Sequence, residues 1–353
     1  YRDDNPSQNQ DQDQTIRLTS DLVSVSAAVT DAAGHSIVGL KPEDFVVYED
    51  GVRQKITNFE ATEAPFEVML LLDLSGSTAE EIGLIRDAAR SFLGQLNNRD
   101  RAGVLAFSGE VYSVATLDDT LDGVESKVED IQPAGGSAKS RFNPNTGTAF
   151  YDALYGTVTE TDLGKTKGRK AIVCVSDGVD STSRTHYNEM ARQVEESGAP
   201  VYFLDLDTEQ ENLDLLLRDH NDPKYANFSR SQIDRYFDRN NPVSLDRNLP
   251  PPMIPREMRK KINHGLYEIA HKEMTQLAEQ TGGRVYPVRT VWDLAGVFKQ
   301  IAADIRTEYS LGYYSSNDSK RPGFRTIKVE VKRRGAVVRA RPGYWANGAG
   351  PDN

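Results

Sequence analysis

Before residue 65, hydrophobic and polar residues alternate in short runs. The alternation, which is imperfect, covers 22–29 and 55–59, and 45–48 is a short apolar run between them. Alternation with a period of two predicts strands that are buried on one face only. Asp50-Gly51 follows the second run and predicts a tight hairpin turn, because glycine tolerates the positive φ of such turns. We therefore expect a β-region over residues 15–62.

From residue 66, apolar runs alternate with segments of helical periodicity. The strand-like runs are 66–72, 104–107, 171–175, 201–206 and 277–288, and the helical segments are 82–96, 148–159, 189–196 and 292–305. A continuous apolar run is typical of a strand buried on both faces, and strands that alternate with helices indicate a parallel sheet. The expected fold class is α/β, with a doubly wound, mostly parallel sheet flanked by helices.

Two segments fall outside this alternation. Residues 208–263 are rich in Asp, Asn, Arg and Pro and predict an irregular insertion, since so long a connection is uncommon within a compact domain. Residues 306–347 return to alternating runs and predict strands that pair with the first β-region. We expect an α/β domain over 63–305, inserted into a small β-sandwich formed by 15–62 and 306–347.

Net charge, cysteine content and the N-terminal residues restrict the partners, the kinds of site and the location that we expect for this protein. A formal net charge of -11 over 353 residues repels phosphate backbones, so we expect no nucleic-acid partner. The single cysteine, Cys174, excludes an internal disulfide and a cysteine-rich zinc site. No apolar run is long enough to span a bilayer. The start at Tyr1 and the polar run 1–14 predict a removed leader, a disordered arm and a secreted, periplasmic or cell-surface location, with a short tail at 348–353.

Oxygen-bearing side chains follow the first long apolar run. Asp73, Ser75 and Ser77 occupy alternate positions, and Gly76 lets the backbone curl between them. Ligands bind at the carboxyl ends of strands in α/β sheets, where one carboxylate and two hydroxyls would supply half of an octahedral Mg²⁺ shell. The same residues could also cap a helix, since Ser and Asp are favoured at helix N-termini.

Two later segments favour the metal over the cap. Thr148 opens a predicted helix, and Asp177 ends the predicted strand 171–175 just before Gly178. Both segments would lie at the same edge of the sheet as Asp73. We therefore expect a site for Mg²⁺, or for Mn²⁺ or Ca²⁺, which suit the same oxygens. Its ligands would be Asp73, Ser75, Ser77, Thr148 and Asp177.

The sequence patterns of three common classes of enzyme do not match this chain. Phosphoryl transfer through D-x-D-x-T needs a second carboxylate for proton transfer, and Ser75 stands at that position. The serine-hydrolase pattern G-x-S-x-G and the phosphate loop G-x-x-x-x-G-K-[ST] do not occur. We therefore expect no enzyme, and metal-assisted hydrolysis is a remote alternative.

The chain resembles von Willebrand factor type A (VWFA) domains that carry a metal-ion-dependent adhesion site (MIDAS). The segments that carry the resemblance are VMLLLDLSGS, DRAGVLAFSG, GTAFYDAL, KAIVCVSDGVD, APVYFLDL and LAEQTGGRVYPV. They cover roughly residues 64–206 and 277–288. The flanks FVVYEDGVRQKITNF, YSLGYYSSN and RPGYWA resemble those of bacterial proteins of this class, of the type met in acidobacteria.

The resemblance implies a Rossmann-like fold and a role for each candidate residue. The hydroxyls of Ser75, Ser77 and Thr148 would ligate the metal, and Asp73 and Asp177 would act directly or through water. One coordination position would stay open for an Asp or Glu carboxylate of a partner protein. The rim around it would be formed by Gly76, Gly147, Asp180 and Ser181.

Two functions remain open. The first is a metal-dependent protein-binding or adhesion module. The alternative is a structural or assembly subunit of an extracellular or envelope complex, which would bind through the β-sandwich and residues 208–263 while the metal only braces loops.

Overall fold

The computed structural model describes residues 22–346 except 34, 63, 79–80, 132–146, 167, 223–224, 241–249 and 317–322. The predicted arm 1–14 and tail 348–353 lie outside the described residues. The strands are β1 Leu22–Thr30, β2 Phe45–Glu49, β3 Val52–Gln54, β4 Ile56–Glu60, β5 Phe66–Asp73, β6 Arg101–Phe107, β7 Val111–Ala115, β8 Arg169–Ser176, β9 Val201–Leu206, β10 Arg284–Val288, β11 Glu308–Tyr314, β12 Gly323–Val331, β13 Val337–Ala340 and β14 Gly343–Ala346. The α-helices are α1 Ile82–Leu93, α2 Leu121–Glu129, α3 Phe150–Thr159, α4 Tyr187–Ser197, α5 Glu209–Leu216, α6 Arg230–Asn240, α7 Arg256–Thr281 and α8 Leu294–Arg306.

A six-stranded sheet forms the centre of the α/β region, in the order β10-β9-β8-β5-β6-β7. All neighbours pair in parallel except β6 and β7. Strand β5 is apolar on both faces: Leu70 and Leu72 pack in one core with α1 and α8, while Met69 and Leu71 pack in the other with α3, α4 and α7. Because each buried leucine contributes about 1.5–3 kcal/mol, both helix layers are held firmly to this strand. The predicted doubly wound, mostly parallel sheet is confirmed.

The N- and C-terminal segments form two antiparallel sheets, in the orders β13-β1-β11-β4 and β14-β12-β2-β3. Val25 and Tyr309 of the first sheet share a core with Phe45 and Val47 of the second. Strand β11 pairs with both β1 and β4. The chain therefore enters the α/β region from β4 and leaves it into the adjacent strand. The exact domain boundaries at 63, 305 and 347 stay a prediction.

The prediction of an irregular segment over 208–263 was wrong for the residues described there. They form α5, α6 and the first part of α7, and their apolar residues make a separate small core. This core contains Leu216, Phe228, Ile233, Tyr236, Ile262 and Leu266, together with Val179 from the loop after β8. Polar residues dominate this segment, and for that reason the helical spacing of its apolar residues was not recognised. Pro255 precedes the first residue of α7, a place where proline does not interrupt a helix.

The predicted strand 277–288 is also shorter than expected. Residues 277–281 belong to α7, and only Arg284–Val288 form β10. Gly282 ends the helix with a φ of 84°, a left-handed conformation that glycine adopts without strain. Within the described residues, no helix combines the length and the apolar character needed to cross a membrane.

Candidate metal centre

The loop after β5 carries the first three candidate ligands. Asp73 is fully buried: Oδ1 accepts a hydrogen bond from the Ser75 N–H at 3.0 Å, and Oδ2 accepts one from the Ser176 hydroxyl at 2.6 Å. The hydroxyl oxygens of Ser75 and Ser77 lie 3.3 Å apart. The Thr78 hydroxyl donates to the carbonyl of Asp73 at 2.9 Å. The turn is thus held closed by its own side chains.

Asp177 follows the neighbouring strand β8 and is 3% exposed. Its Oδ1 accepts a hydrogen bond from the Val179 N–H at 3.0 Å. Its Oδ2 accepts hydrogen bonds from the hydroxyls of Thr208, at 2.6 Å, and Tyr267, at 3.3 Å. Because β5 and β8 are adjacent and parallel, Asp73 and Asp177 emerge at the same edge of the sheet.

The environment of Asp73 disfavours its charged form. Burial, together with the nearby charge of Asp177, raises the pKa of Asp73 from 3.8 to about 7. The hydrogen bonds from Ser176 and Ser75 oppose this rise without cancelling it. A buried carboxyl group beside a second negative charge favours either a proton or a bound cation. The oxygen-only donor set fits a hard divalent cation.

Hydroxyl oxygens are needed to complete a metal shell here. Throughout the described part of the chain, no three His, Cys, Asp or Glu side chains are grouped so that they could hold a metal ion. Ser75 is 1% exposed and Ser77 is partly exposed. Their hydroxyls are the oxygens nearest in sequence to Asp73 that could complete such a shell.

Thr148 belongs to a loop that is tied to the loop after β8. Its N–H donates to Ser181 Oγ at 2.8 Å, and its carbonyl accepts from the N–H groups of Ser181 and Thr182 at 2.9 and 3.1 Å. The next residue, Ala149, donates to the carbonyl of Ser108 at 2.6 Å, just beyond β6. Gly147 has a φ of 96°, and a Cβ there would lie 2.5 Å from Thr182 Cγ2. Only glycine therefore fits this close approach.

The expectation that Asp180 lines a partner-facing rim was wrong. Asp180 is 6% exposed, and its Oδ1 accepts hydrogen bonds from the N–H groups of Phe150 and Tyr151 at 3.0 and 3.4 Å. A carboxylate at the start of α3 satisfies free N–H groups and interacts with the helix dipole. The other rim candidates, Gly76, Gly147 and Ser181, are partly exposed.

Three residues that support the carboxylates were not predicted. Ser176 holds Asp73, while Thr208 and Tyr267 hold Asp177. Thr208 and Tyr267 also lie 2.9 Å apart, oxygen to oxygen. Thr208 begins the segment that was expected to be irregular, and Tyr267 lies on α7, the helix into which this segment continues. Residues at the start of the segment and just beyond its end therefore contact a candidate metal ligand, Asp177.

We expect Tyr267→Phe to weaken divalent-metal binding by about 10-fold, as loss of a hydrogen bond to a metal-ligating group commonly does. The phenol is the group on α7 that orients Asp177 Oδ2. Calorimetric titration with Mg²⁺ and Mn²⁺ measures the change. Tyr225→Phe is the matched control, since the Tyr225 hydroxyl donates to Asn227 instead. Equal metal affinities for the wild-type protein and Tyr267→Phe would contradict the orienting role.

A cavity that is separate from the candidate metal centre lies at the opposite edge of the central sheet. Its volume is about 690 Å³, and its lining includes Phe66, Glu67 and Arg169, which stand where β5 and β8 begin. The candidate metal centre lies where these strands end. The two sites share no lining residue and are separated by the length of the sheet.

The family whose model matches the chain is described as the von Willebrand factor type A domain, and the match covers residues 67–233. No curated protein matches the chain.

Several solved structures resemble the chain. Proximal thread matrix protein 1 from the mussel byssus, with a zinc-occupied MIDAS motif, is 12% identical with a TM-score of 0.43; the match covers 69% of this chain and 48% of that one. A von Willebrand factor type A structure from Catenulispora acidiphila is 12% identical with a TM-score of 0.41, covering 93% and 74%. An aerotolerance-related membrane protein from Bacteroides fragilis is 16% identical with a TM-score of 0.41, covering 68% and 98%. This chain spans about half the length of the mussel protein.

Proposed function

We propose that this chain binds a partner protein through a divalent cation, and that it does so with the von Willebrand factor type A domain matched at residues 67–233. The family is known for metal-dependent protein binding. The observation that carries the proposal is the buried pair Asp73 and Asp177 beside two serine hydroxyls at one edge of the central sheet. A bound cation would offset the cost of keeping both buried carboxyl groups ionised.

In this proposal, the hydroxyls of Ser75, Ser77 and Thr148 hold the ion, and Asp73 and Asp177 act directly or through water. Both carboxylates already accept hydrogen bonds from the protein, Asp73 from two groups and Asp177 from three. These bonds draw part of the negative charge away from the ion. When bound, Mg²⁺ (or Mn²⁺ or Ca²⁺) supplies residual positive charge that attracts an Asp or Glu carboxylate of the partner.

The second candidate is an assembly role through the β-sandwich and the helices of 208–263. It is favoured by large apolar side chains that stay exposed on the sandwich, such as Val52, Phe324 and Val337 at 48%, 42% and 56%. Catalysis is not part of either proposal, because Ser75 stands where phosphoryl transfer would need a second carboxylate. The secreted, periplasmic or cell-surface location stays a prediction.

Partner capture with and without metal separates the two candidates. We expect proteins captured by the full chain in Mg²⁺ to be released by a chelator and not to bind Asp73→Ala. Asp118→Ala is the control, since Asp118 has an 80% exposed side chain at the opposite edge of the sheet. Capture that survives both the chelator and Asp73→Ala would overturn metal-dependent binding and favour the assembly role.

A further inference from the structure

A second cavity borders the candidate metal centre. It has a volume of about 250 Å³ and lies at the ends of β9 and β10, beside the turn that leads into α1. Thr78 and Thr208 belong to its lining. The hydroxyl of Thr78 also donates to the carbonyl of Asp73, and that of Thr208 donates to Asp177 Oδ2. One threonine side chain therefore links the cavity to Asp73, and another links it to Asp177.

The lining of this cavity is negatively charged. Glu81, Asp207 and Glu211 contribute three carboxylates, and Arg289 contributes one guanidinium, which leaves two negative charges in excess. Asp207, Glu211 and Arg289 are exposed, so these groups remain available to a molecule that approaches from solvent. The excess charge favours an occupant that carries a positive charge.

Trp292 gives the cavity its second distinctive feature. This tryptophan lines the cavity and is 78% exposed, although its ring carries a large apolar surface that is usually buried. Exposed tryptophans beside a cavity are typical of the residues that dominate protein–protein binding. The face of an indole ring also attracts ammonium and guanidinium groups.

We propose that the partner segment which presents Asp or Glu at the metal centre also places an Arg or Lys side chain in this cavity. The basic group packs against the Trp292 ring and pairs with the exposed carboxylates of Asp207 and Glu211. The inference rests on the proposed function, because the metal fixes where the carboxylate of the partner lies. It specifies the chemistry of the partner segment, which carries an acidic and a basic residue close together.

The two tryptophans of the chain allow a direct test. In Trp345→Phe, Trp292 is the only remaining tryptophan and reports on the cavity by its fluorescence. The probes are capped glycine-rich heptapeptides that contain one Asp and, one to four positions away on either side, an Arg or a norleucine. In Mg²⁺ we expect the best-spaced Arg peptide to bind about 5- to 10-fold more tightly than its norleucine counterpart, within the range of a cation–π contact plus an ion pair. Only the Arg peptide should change the emission of Trp292.

Two variants on the otherwise native chain test the named groups. Trp292→Ala and Glu211→Gln should each reduce the preference for Arg to about half or less, and Glu211→Gln should leave the affinity for the norleucine peptide unchanged. Glu257→Gln is the matched control, because Glu257 also lies exposed in the first turn of a helix, α7. This control should keep the full preference.

A third measurement tests cation binding in the cavity independently of metal-dependent binding of the Asp residue. N-acetyl-arginine amide alone, in a chelator, should alter the fluorescence of Trp292, and Glu211→Gln should abolish that change. Metal-dependent binding of Asp peptides without any preference for Arg would overturn the inference and leave the proposed function intact. A response to N-acetyl-arginine amide, without metal-dependent binding of any Asp peptide, would support the cavity as a cation site and overturn the proposed function.

Discussion

Asp73→Asn will melt at a higher temperature than the wild-type protein when divalent metal is removed at pH 8, and added Mg²⁺ will not stabilise it. The pKa of Asp73 rises to about 7 in the folded protein through burial and the charge of Asp177. Since this value exceeds that of the unfolded chain, Asp73 stabilises the fold at low pH, and this stability is lost as the pH rises through 7. Asparagine keeps the shape of the side chain without the charge.

The expected gain without metal is about 2 kcal/mol, or roughly 3–4 °C. It is less than the full shift implies, because the amide nitrogen of asparagine cannot accept the hydrogen bond that one oxygen of Asp73 accepts. Thermal melts at pH 8, in chelator and in Mg²⁺, measure both effects. Asp118→Asn, at an exposed position, should behave as the wild-type protein in both conditions. A lower melting temperature in chelator, combined with a normal response to Mg²⁺, would show that Asp73 is not the charge that the metal neutralises.

The affinity for Mg²⁺ will rise steeply with pH below 7 and level off above 8. At a pKa of about 7, Asp73 holds a proton over much of the acidic range, and metal binding must displace it. Each pH unit below the pKa then lowers the affinity about 10-fold, so binding at pH 5 should be about 100-fold weaker than at pH 8. The sign follows from competition between a proton and a cation for the same oxygens.

Calorimetry in buffers of different ionisation enthalpy counts the protons released on binding. We expect nearly one proton per ion at pH 6 and almost none at pH 8. Asp180→Asn is the informative control, because burial raises the pKa of Asp180 to about 7 as well, while its carboxylate holds the start of α3. This variant should keep the slope of affinity against pH. A wild-type affinity that is the same at pH 5 and pH 8 would contradict the prediction.

The central sheet and the positions of Asp73 and Asp177 at its edge could be predicted because both depend on local spacing. The apolar run that became β5 needs no tertiary information to be recognised as a buried strand. Asp73 and Asp177 follow such runs directly, and parallel strands bring their carboxyl ends to one edge. Order along the chain was enough to place them together.

The supporting residues could not be predicted because their roles depend on packing between distant segments. Tyr267 lies 90 residues from Asp177, and nothing in its local sequence distinguishes it from other helical tyrosines. Asp180 follows Asp177 closely and was therefore assigned to the rim, but the position of α3 turns its carboxylate inward. In both cases a helix from another part of the chain decides what the side chain does.

The helices of 208–263 were missed for a different reason. Helix α6 has the sequence RSQIDRYFDRN, in which charged residues outnumber the apolar ones, although Ile233, Tyr236 and Phe237 share one face. A count of polar residues suggested a loop, whereas the spacing of three to four residues indicated a helix. The spacing predicts the structure correctly, because a helix needs only one apolar face to pack against α7.

The pairing of β11 with both β1 and β4 determines when the β-sandwich can form during synthesis. In the sheets that the structure describes, β1 has β11 and β13 as neighbours and β4 has β11, so neither strand pairs with another N-terminal strand. Leu22, for example, pairs with Tyr314. The strands of the α/β region all leave the ribosome before β11 does, so this region can fold first while β1 and β4 still have open edges. Strand β1 is therefore made before the α/β region but paired only after that region has been made.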